Sequence, residues 1–278
     1  MSAPPLRQLS GKPISRLGIG CSRIGSFNND TPIAETRVML AEALDLGVTV
    51  FDTANIYGQG DSERELGRLL KGRSEQAFVV TKLGKRFSMK MRLLRPVKPL
   101  IKAVLPKGGR AAVTQARDSS MDPDDYRPET FAPTLKASLR RLGMDCIDGL
   151  MLHGPRAPVL SDGAVPEALA GLAKQGLVRH WGVSVDTEEE LRLALAMPGL
   201  SILQIPLDLI EAIAGSPLEQ AVRACGAVVF AREVMRFQPD LSPPQAVARA
   251  ATFPIIDCVL AGVSSRKHMR ELVATIRS

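Results

Sequence analysis

The sequence predicts an α/β protein that folds as a single (β/α)8 TIM barrel over residues 1–278. Its 278 residues come close to the roughly 250 that one such barrel needs. Eight short apolar runs alternate with stretches in which apolar residues recur at helical spacing. Buried strands that alternate with helices pair in parallel, and right-handed crossovers then close the sheet into a barrel. A doubly wound open sheet is the alternative architecture.

The strands are predicted where short apolar runs are bounded by turn-forming residues. They cover residues 17–21, 48–52, 77–82, 147–153, 178–184, 202–206, 227–231 and 257–262. The helices are predicted at 33–46, 63–70, 128–142, 165–175, 187–195, 217–224, 243–251 and 266–276. Gly47, Gly143 and Gly176 follow three of these helices, where a residue in the left-handed conformation commonly ends a helix.

The turn after the first predicted strand distinguishes the two architectures. It reads GIGCSR over residues 18–23 and lacks the third glycine of the dinucleotide-binding fingerprint GxGxxG. Arg23 occupies the position at which the helix and the strand need a residue without a side chain. The sequence therefore favours the barrel over the open dinucleotide-binding sheet.

One interval is longer than the others, and it holds the basic charge of the chain. The third and fourth predicted strands start at 77 and 147, whereas other neighbouring strands start 24 to 31 residues apart. Residues 85–117 include ten Lys or Arg and no Asp or Glu, so this segment alone carries the basic excess behind the net charge of +7. We therefore predict a basic loop inserted at 84–127 and no nucleic-acid partner.

Composition and cysteine placement exclude other classes of protein. With 45% hydrophobic and 23% charged residues, the chain is expected to fold around a core. Its four cysteines are far apart and no His/Cys pair has zinc spacing, so neither a disulfide framework nor a metal site is expected. No apolar stretch resembles a signal peptide or an integral membrane segment, which predicts a cytoplasmic protein.

Reactive side chains stand at the ends of three predicted strands. Asp52 ends the second strand and is followed by Tyr57, Lys82 ends the third strand, and His153 ends the fourth. Barrel enzymes place their catalytic groups where strands finish, at the carboxyl-terminal face. We therefore expect these four side chains to converge at one rim of the barrel.

The chemistry of this set suits proton transfer to a carbonyl oxygen during hydride addition. A phenol has a pKa of about 10, and a buried ammonium beside it lowers that pKa. Lys82 is expected to act on Tyr57 in this way, with Asp52 as the partner of the buried charge. His153 is expected to donate a hydrogen bond that orients the substrate oxygen.

Motifs along nearly the whole chain resemble those of a known family. They are LGIG at 17–20, FDTANIYG at 51–58, ELG at 65–67, TK at 81–82, SLRRLG at 138–143, HGP at 153–155, GLVRHWGVS at 176–184 and GVSS at 262–265. On these motifs the sequence resembles the aldo-keto reductase superfamily. The resemblance implies a (β/α)8 barrel that binds NADPH in an extended pose without a Rossmann domain. It also implies a catalytic tetrad of Asp52, Tyr57, Lys82 and His153, with Tyr57 as the general acid.

The resemblance further implies where the cofactor binds. Ser184 matches the serine that holds the nicotinamide amide, Gln204 matches the glutamine of the sixth strand, and Arg232 takes the place of a stacking aromatic ring. Residues 262–268 match the region that holds the adenosine ribose and its 2′-phosphate, which favours NADPH, with NADH as the alternative cofactor. The implied cofactor-binding residues are Gly20, Asp52, Ser184, Gln204, Arg232, Gly262, Ser264, Ser265, Arg266 and His268.

The expected function is NAD(P)H-dependent reduction of an aldehyde or ketone, or oxidation of a sugar or alcohol. The expected partner is accordingly a small-molecule carbonyl compound or sugar. An alternative is a cofactor-binding regulatory or scaffold protein with vestigial turnover, because Val185 replaces the asparagine that often follows Ser184 in the family. The basic segment has three interpretations: a solvated loop without a ligand, a lid over the barrel mouth, or, at residues 89–105, an element that binds a membrane surface or a partner. The sequence specifies neither the physiological substrate nor the oligomeric state.

Overall fold

The computed structural model describes residues 6–25, 31–87, 121–122 and 124–277. Within these ranges, eight parallel strands close into a barrel. The strands are β1 (Leu17–Gly20), β2 (Val50–Asp52), β3 (Phe78–Leu83), β4 (Ile147–His153), β5 (Val178–Ser184), β6 (Ile202–Pro206), β7 (Val228–Arg232) and β8 (Cys258–Ala261). Each strand pairs with the next along the chain, and Val259 of β8 pairs with Leu17 of β1 to complete the ring. The predicted barrel is confirmed, and the open sheet is excluded.

Helices follow the strands along the chain. They are α1 (Ile33–Asp45), α2 (Asp61–Leu69), α3 (Phe131–Leu142), α4 (Ala157–Leu160), α5 (Ala164–Lys174), α6 (Glu188–Leu195), α7 (Leu207–Ile213), α8 (Pro217–Ala224), α9 (Pro243–Ala250) and α10 (Arg266–Arg277). The two helices that were not predicted, α4 and α7, have four and seven residues. Segments this short contain too few turns to show a helical period. Gly143 ends α3 in the left-handed conformation with φ 66°, as the sequence predicts.

Apolar side chains pack together in the barrel interior, and an N-terminal hairpin packs against them. The interior set comprises Ile14, Val50, Phe78, Val80, Met151, Ile202, Val228, Phe230, Cys258 and Leu260. In the hairpin Gln8–Leu9 pairs antiparallel with Lys12–Pro13, and Leu9 packs against the interior set. A packed interior leaves ligand binding to the carboxyl-terminal rim of the barrel.

A buried ion pair fixes the N-terminal hairpin to the barrel. The Lys12 ammonium lies 2.8 Å from Asp148 Oδ1 and donates to the carbonyls of Ser74 and Ala77 at 2.9 Å. The second carboxylate oxygen of Asp148 accepts from the N–H of Val79 at 3.0 Å. Because both charges are paired and hydrogen-bonded, the cost of burying them is offset.

The loop predicted at 84–127 lies largely outside the described residues. At its two ends, Arg86–Phe87 pairs antiparallel with Met121–Asp122 to form a short ribbon beyond β3. Residues 88–120 and 123 are not described, and they include most of the basic cluster. The lid and the surface-binding element at 89–105 therefore stay predictions.

In the described ranges, none of the helices has the length and apolar character required to cross a membrane. The same ranges contain no group of three or more His, Cys, Asp or Glu that could hold a metal ion. Cys21, Cys146, Cys225 and Cys258 are all free thiols.

Candidate active site

A cavity of about 640 Å³ opens at the carboxyl ends of the barrel strands. Predicted site residues that line it are Gly20, Asp52, Tyr57, His153, Ser184, Gln204, Arg232, Gly262, Ser264 and His268. Lys82 contacts Asp52 and Tyr57 but is itself 1% exposed. Ser265 and Arg266, both described and exposed, stand outside the lining. The structure therefore gathers the four predicted catalytic side chains and most of the predicted cofactor-binding residues around one cavity.

Lys82 connects the carboxylate of Asp52 to the hydroxyl of Tyr57. Its ammonium donates to Asp52 Oδ1 at 2.5 Å, to the carbonyl of Thr53 at 3.1 Å and to Tyr57 Oη at 3.5 Å. Gln204 Nε2 donates to the same Asp52 oxygen at 3.1 Å. The Asp52 carboxylate and the Lys82 ammonium meet because β2 and β3 are paired neighbours that end at the same rim.

The turn that carries Tyr57 is tied to the end of β1. Tyr57 begins a 3-10 turn, Tyr57–Gly60, that leads into α2. The Ser62 hydroxyl in α2 donates to the carbonyl of Cys21 at 3.0 Å and lies 2.7 Å from the hydroxyl of Thr53. These bonds anchor the chain on both sides of Tyr57, so the position of the phenol is fixed by its neighbours.

Burial governs the proton affinity of Tyr57. It raises the pKa of the phenol above its ordinary value, and the charge of Lys82 opposes that rise without reversing it. Lys82 lowers the pKa of the phenol as expected, but the net shift is upward, because loss of water destabilises the phenolate more than the ammonium stabilises it. Burial alone would lower the pKa of Lys82, but the charge of Asp52 raises it overall. Lys82 stays charged and Tyr57 stays protonated near neutral pH.

His153 ends β4 and stands edge-on to Tyr57. The two ring centroids are 5.8 Å apart, and the ring planes are at 90°. Burial lowers the pKa of His153 well below its ordinary value, and the charges of Lys82, Lys85 and Arg232 lower it further. The imidazole is therefore neutral near pH 7. Its Nδ1 is buried without a hydrogen-bond partner among the described residues.

Arg232 ends β7 and is held by two carboxylates. Its guanidinium forms ion pairs with Asp186 and Glu233 and donates to the carbonyl of Val185 at 2.9 Å. Its Nε is buried and has no partner in the described part of the chain. A planar guanidinium held in this way has a fixed orientation, which suits the stacking role expected at this position.

Two arginines in the region after β8 form ion pairs that the sequence did not predict. Arg266 donates to Glu42 of α1 at 2.7 Å, and Arg270 contacts the same carboxylate. Hydrogen bonds from these two arginines hold the pKa of Glu42 below its ordinary value. His268 lines the cavity, and its buried Nε2 lacks a partner within the described ranges. Glu42 thus partly neutralises the cations that are expected to bind a 2′-phosphate.

The residues at the site that were not identified from the sequence include Lys85, Tyr126, Asp186 and Glu233. Tyr126 donates to the backbone carbonyl of His153 at 2.7 Å, and its only signal was that the chain has two tyrosines. Asp186 directly precedes a capping box formed by Thr187 and Glu190 at the start of α6. That pattern after a strand would have drawn attention to Asp186.

Residues 16–235 match the sequence model of the Aldo/keto reductase family. This chain belongs to that family. The resemblance drawn from the motifs is therefore confirmed. The closed eight-stranded barrel agrees with the fold that the resemblance implies.

Two curated members of the family illustrate the similarity. D-threo-aldose 1-dehydrogenase from Pseudomonas sp is 30% identical over 214 residues, covering 73% of this chain and 60% of the relative. Aldo-keto reductase yakc [NADP(+)] from Schizosaccharomyces pombe is 25% identical over 205 residues, covering 72% of this chain and 51% of the relative. The matched part thus spans between half and two thirds of the length of these relatives.

Solved structures from the family share the fold over nearly the whole chain. The holo form of aldo-keto reductase AKR11C1 from Bacillus halodurans has a TM-score of 0.74 at 21% identity, covering 99% of this chain and 91% of that one. An aldo/keto reductase from Klebsiella pneumoniae, solved in complex with NADP and acetate, has a TM-score of 0.68 at 18% identity, covering 99% and 90%. At these identities the likeness establishes the fold.

Proposed function

We propose that this family member is an NADPH-dependent oxidoreductase that reduces an aldehyde or ketone, or oxidises a sugar or alcohol in the reverse direction. The observation that carries the proposal is the buried Lys82 ammonium, which contacts both Asp52 and the hydroxyl of Tyr57 beside a cavity. A cation between a carboxylate and a phenol suits a site that moves a proton to a carbonyl oxygen.

The cavity has the polar groups that a nicotinamide dinucleotide needs. His153 Nδ1, Arg232 Nε and His268 Nε2 belong to residues that line it, and each is buried without a partner among the described residues. A ligand with amide, ribose and phosphate groups supplies partners for such atoms. Ser184, Gln204 and Arg232 would hold the nicotinamide end, and residues 262–268 the adenosine end. When bound, NADPH supplies the hydride.

Side chains of this protein supply the proton that the carbonyl oxygen takes up. Tyr57 is protonated near neutral pH, since its pKa lies above the ordinary value of a phenol, and it can pass this proton to a carbonyl oxygen that gains negative charge. The Lys82 ammonium stabilises the phenolate that remains, and Asp52 holds that ammonium in place. The neutral imidazole of His153, edge-on to Tyr57, orients the oxygen by a hydrogen bond.

The proposal is tested by single-turnover oxidation of bound NADPH. The protein is mixed with NADPH and then with a reactive aldehyde in a stopped-flow instrument, and the loss of reduced nicotinamide absorbance is followed. We expect oxidation far above the rate without protein, and a screen of aldehydes, ketones and sugars with NADPH and NADH then ranks substrates by kcat/KM. Tight binding of NADPH without oxidation by any carbonyl compound would instead support the regulatory or scaffold role.

A further inference from the structure

Lys85 lies three residues beyond Lys82 and lines the cavity beside His153 and Gly154. Its position is fixed through its backbone, because its carbonyl accepts from Asn55 Nδ2 at 3.2 Å. The preceding carbonyl, that of Gly84, accepts from the N–H of Asp125 at 2.7 Å. The loop after β2, through Asn55, and the chain that follows the ribbon, through Asp125, therefore hold the backbone of the half-buried Lys85 at the mouth of the site.

The carboxylates that line the cavity are already paired. Asp52 is paired with Lys82, Asp186 with Arg232, and Glu233 with Arg232 and Arg236. None of them forms an ion pair with Lys85 in the described part of the chain. Arg23 is the other lining cation without an ion pair among the described residues. Lys85 and Arg23 thus bring positive charge to the cavity without an ion pair to a described carboxylate. Asp186 Oδ2 and the Lys85 ammonium lie 3.3 and 3.8 Å from the same point, the position of a Cβ on Gly154, so the Asp186 carboxylate, already paired with Arg232, offsets only part of the Lys85 charge.

The two cations occupy different ends of the cavity. Arg23 also lines a small neighbouring pocket with Thr31 and Val263, which places it toward residues 262–268. The ammonium of Lys85 lies 3.8 Å from the point that a Cβ on Gly154 would occupy, next to His153. It also contributes to the lowered pKa of His153. Lys85 therefore stands at the end where Tyr57 and His153 act.

We propose that Lys85 binds an anionic group, a carboxylate or a phosphate, on the substrate whose carbonyl is reduced at Tyr57. This inference rests on the proposed function and adds a substrate class to it. A substrate anion would supply the partner that Lys85 lacks, and a charge-assisted hydrogen bond in a partly buried site is among the stronger polar contacts. We expect a preference of about tenfold in kcat/KM for the anionic substrate, since one such bond contributes on this order.

The test uses pairs of substrates that differ in one charge. The first pair is 3-(4-formylphenyl)propanoate and its methyl ester, in which two methylene groups separate the ring from the carboxylate or ester, so the aldehydes have similar intrinsic reactivity. The second pair is glyceraldehyde 3-phosphate and glyceraldehyde, which shows whether the anion is a phosphate. For each pair, the ratio of kcat/KM for the anionic over the neutral compound is measured with NADPH, and an advantage in either pair supports the proposal.

Variants at Lys85 identify the source of the preference. Lys85→Met should bring the preferred ratio down to about one, and Lys85→Arg should retain most of it because the charge is kept. Lys71→Met is the matched control, since Lys71 is exposed at the end of α2 outside the cavity and its loss should leave the ratio unchanged. Ratios near one for both pairs in the wild type, or a ratio that survives Lys85→Met, would overturn the proposal.

A binding measurement separates this inference from the proposed function. Calorimetric titration of the NADP⁺-saturated protein with 3-(4-formylphenyl)propanoate and with its methyl ester needs no turnover. Absence of reduction of every carbonyl compound would refute the proposed function, while tighter binding of the acid that Lys85→Met abolishes would still support an anion site. Equal binding of the two compounds, with reduction of both, would overturn the anion site and leave the reductase activity standing.

Discussion

The Lys82 ammonium donates to Asp52 Oδ1 at 2.5 Å, with 1% and 8% of the two side chains exposed. Removing one member of such a buried pair leaves an uncompensated charge, and this typically costs roughly 3–5 kcal/mol of stability. Removing both charges avoids that cost. The pair therefore couples the stability of the barrel rim to the chemistry of Tyr57.

We predict that Lys82→Met lowers kcat for carbonyl reduction by about 10²–10⁴-fold, because the phenolate left after proton transfer loses its stabilising charge. High pH should restore little activity, since the acid is needed in its protonated form. The free energy of unfolding should also fall, and the double variant Lys82→Met/Asp52→Asn should recover part of it. A double variant that is less stable than the single one would contradict the role of Asp52 as charge partner.

We predict that replacing Arg266, Lys267 and His268 together with neutral residues raises the dissociation constant of NADPH about tenfold or more and leaves that of NADH little altered. The 2′-phosphate is the group that the two cofactors do not share, and charge-assisted bonds to it are strong. Fluorescence titration with both cofactors measures the effect. Equal losses for NADPH and NADH would indicate a folding defect or a phosphate site elsewhere.

Glu42→Gln should act in the opposite direction. Glu42 neutralises Arg266 and Arg270, so its removal leaves more positive charge near the expected phosphate site. We expect the ratio of the NADH to the NADPH dissociation constant to rise, and to rise less at high salt. A fall in that ratio would mean that Glu42 is needed to orient the arginines.

We predict that Gly84→Ala lowers the free energy of unfolding by roughly 3 kcal/mol, which exceeds the effect of an ordinary surface substitution. Gly84 has φ 107°, and a Cβ there would lie 2.0 Å from Cε1 of Tyr126. Gly72→Ala is the control, because Gly72 also has a positive φ of 76° but no atom within 4 Å of the added Cβ. Denaturant unfolding should show a clearly smaller loss for Gly72→Ala, and equal losses would exclude the contact with Tyr126 as the cause.

Stability should fall in mild acid because of His153. Its pKa in the folded protein is well below the unfolded value of about 6.5, so the unfolded state takes up the proton first. The stability contribution of neutral His153 is therefore complete above about pH 6.5 and is lost as pH falls below it, by up to about 1.4 kcal/mol per pH unit. His153→Gln should flatten this slope between about pH 6.5 and 5. His180→Gln, at a site with a lowered pKa but less burial, should flatten it less, and an unchanged slope in His153→Gln would contradict this account.

The barrel and the convergence of Asp52, Tyr57, Lys82 and His153 at its rim could be predicted because they depend on local pattern. Apolar runs specify strands, parallel strands end at one rim, and Asp52, Lys82 and His153 are the last or nearly last residues of their strands. The short helices α4 and α7 could not be predicted, since four and seven residues carry too little periodicity. They lie after β4 and β6, in stretches without a clear helical repeat.

The energetics and the long-range partners of the site were less accessible from the sequence. The direction of the pKa shift of Tyr57 depends on how completely water is excluded, and a list of neighbouring charges does not contain that quantity. The pairing of Arg266 with Glu42 joins residues 224 positions apart. The contact of Tyr126 with His153 depends on how the ribbon beyond β3 folds back over the rim. Such contacts follow from the closed barrel and not from the spacing of residues along the chain.

The substitution Tyr57→Phe shows most directly whether Tyr57 donates the proton to the carbonyl oxygen. The ring is kept and only the hydroxyl is lost, so we predict that single-turnover oxidation of bound NADPH by an aldehyde slows by about 10²–10⁴-fold while the NADPH dissociation constant changes little. Tyr126→Phe, which removes the other tyrosine hydroxyl of the chain, should slow the same step far less. Reduction at the wild-type rate in Tyr57→Phe would contradict the account.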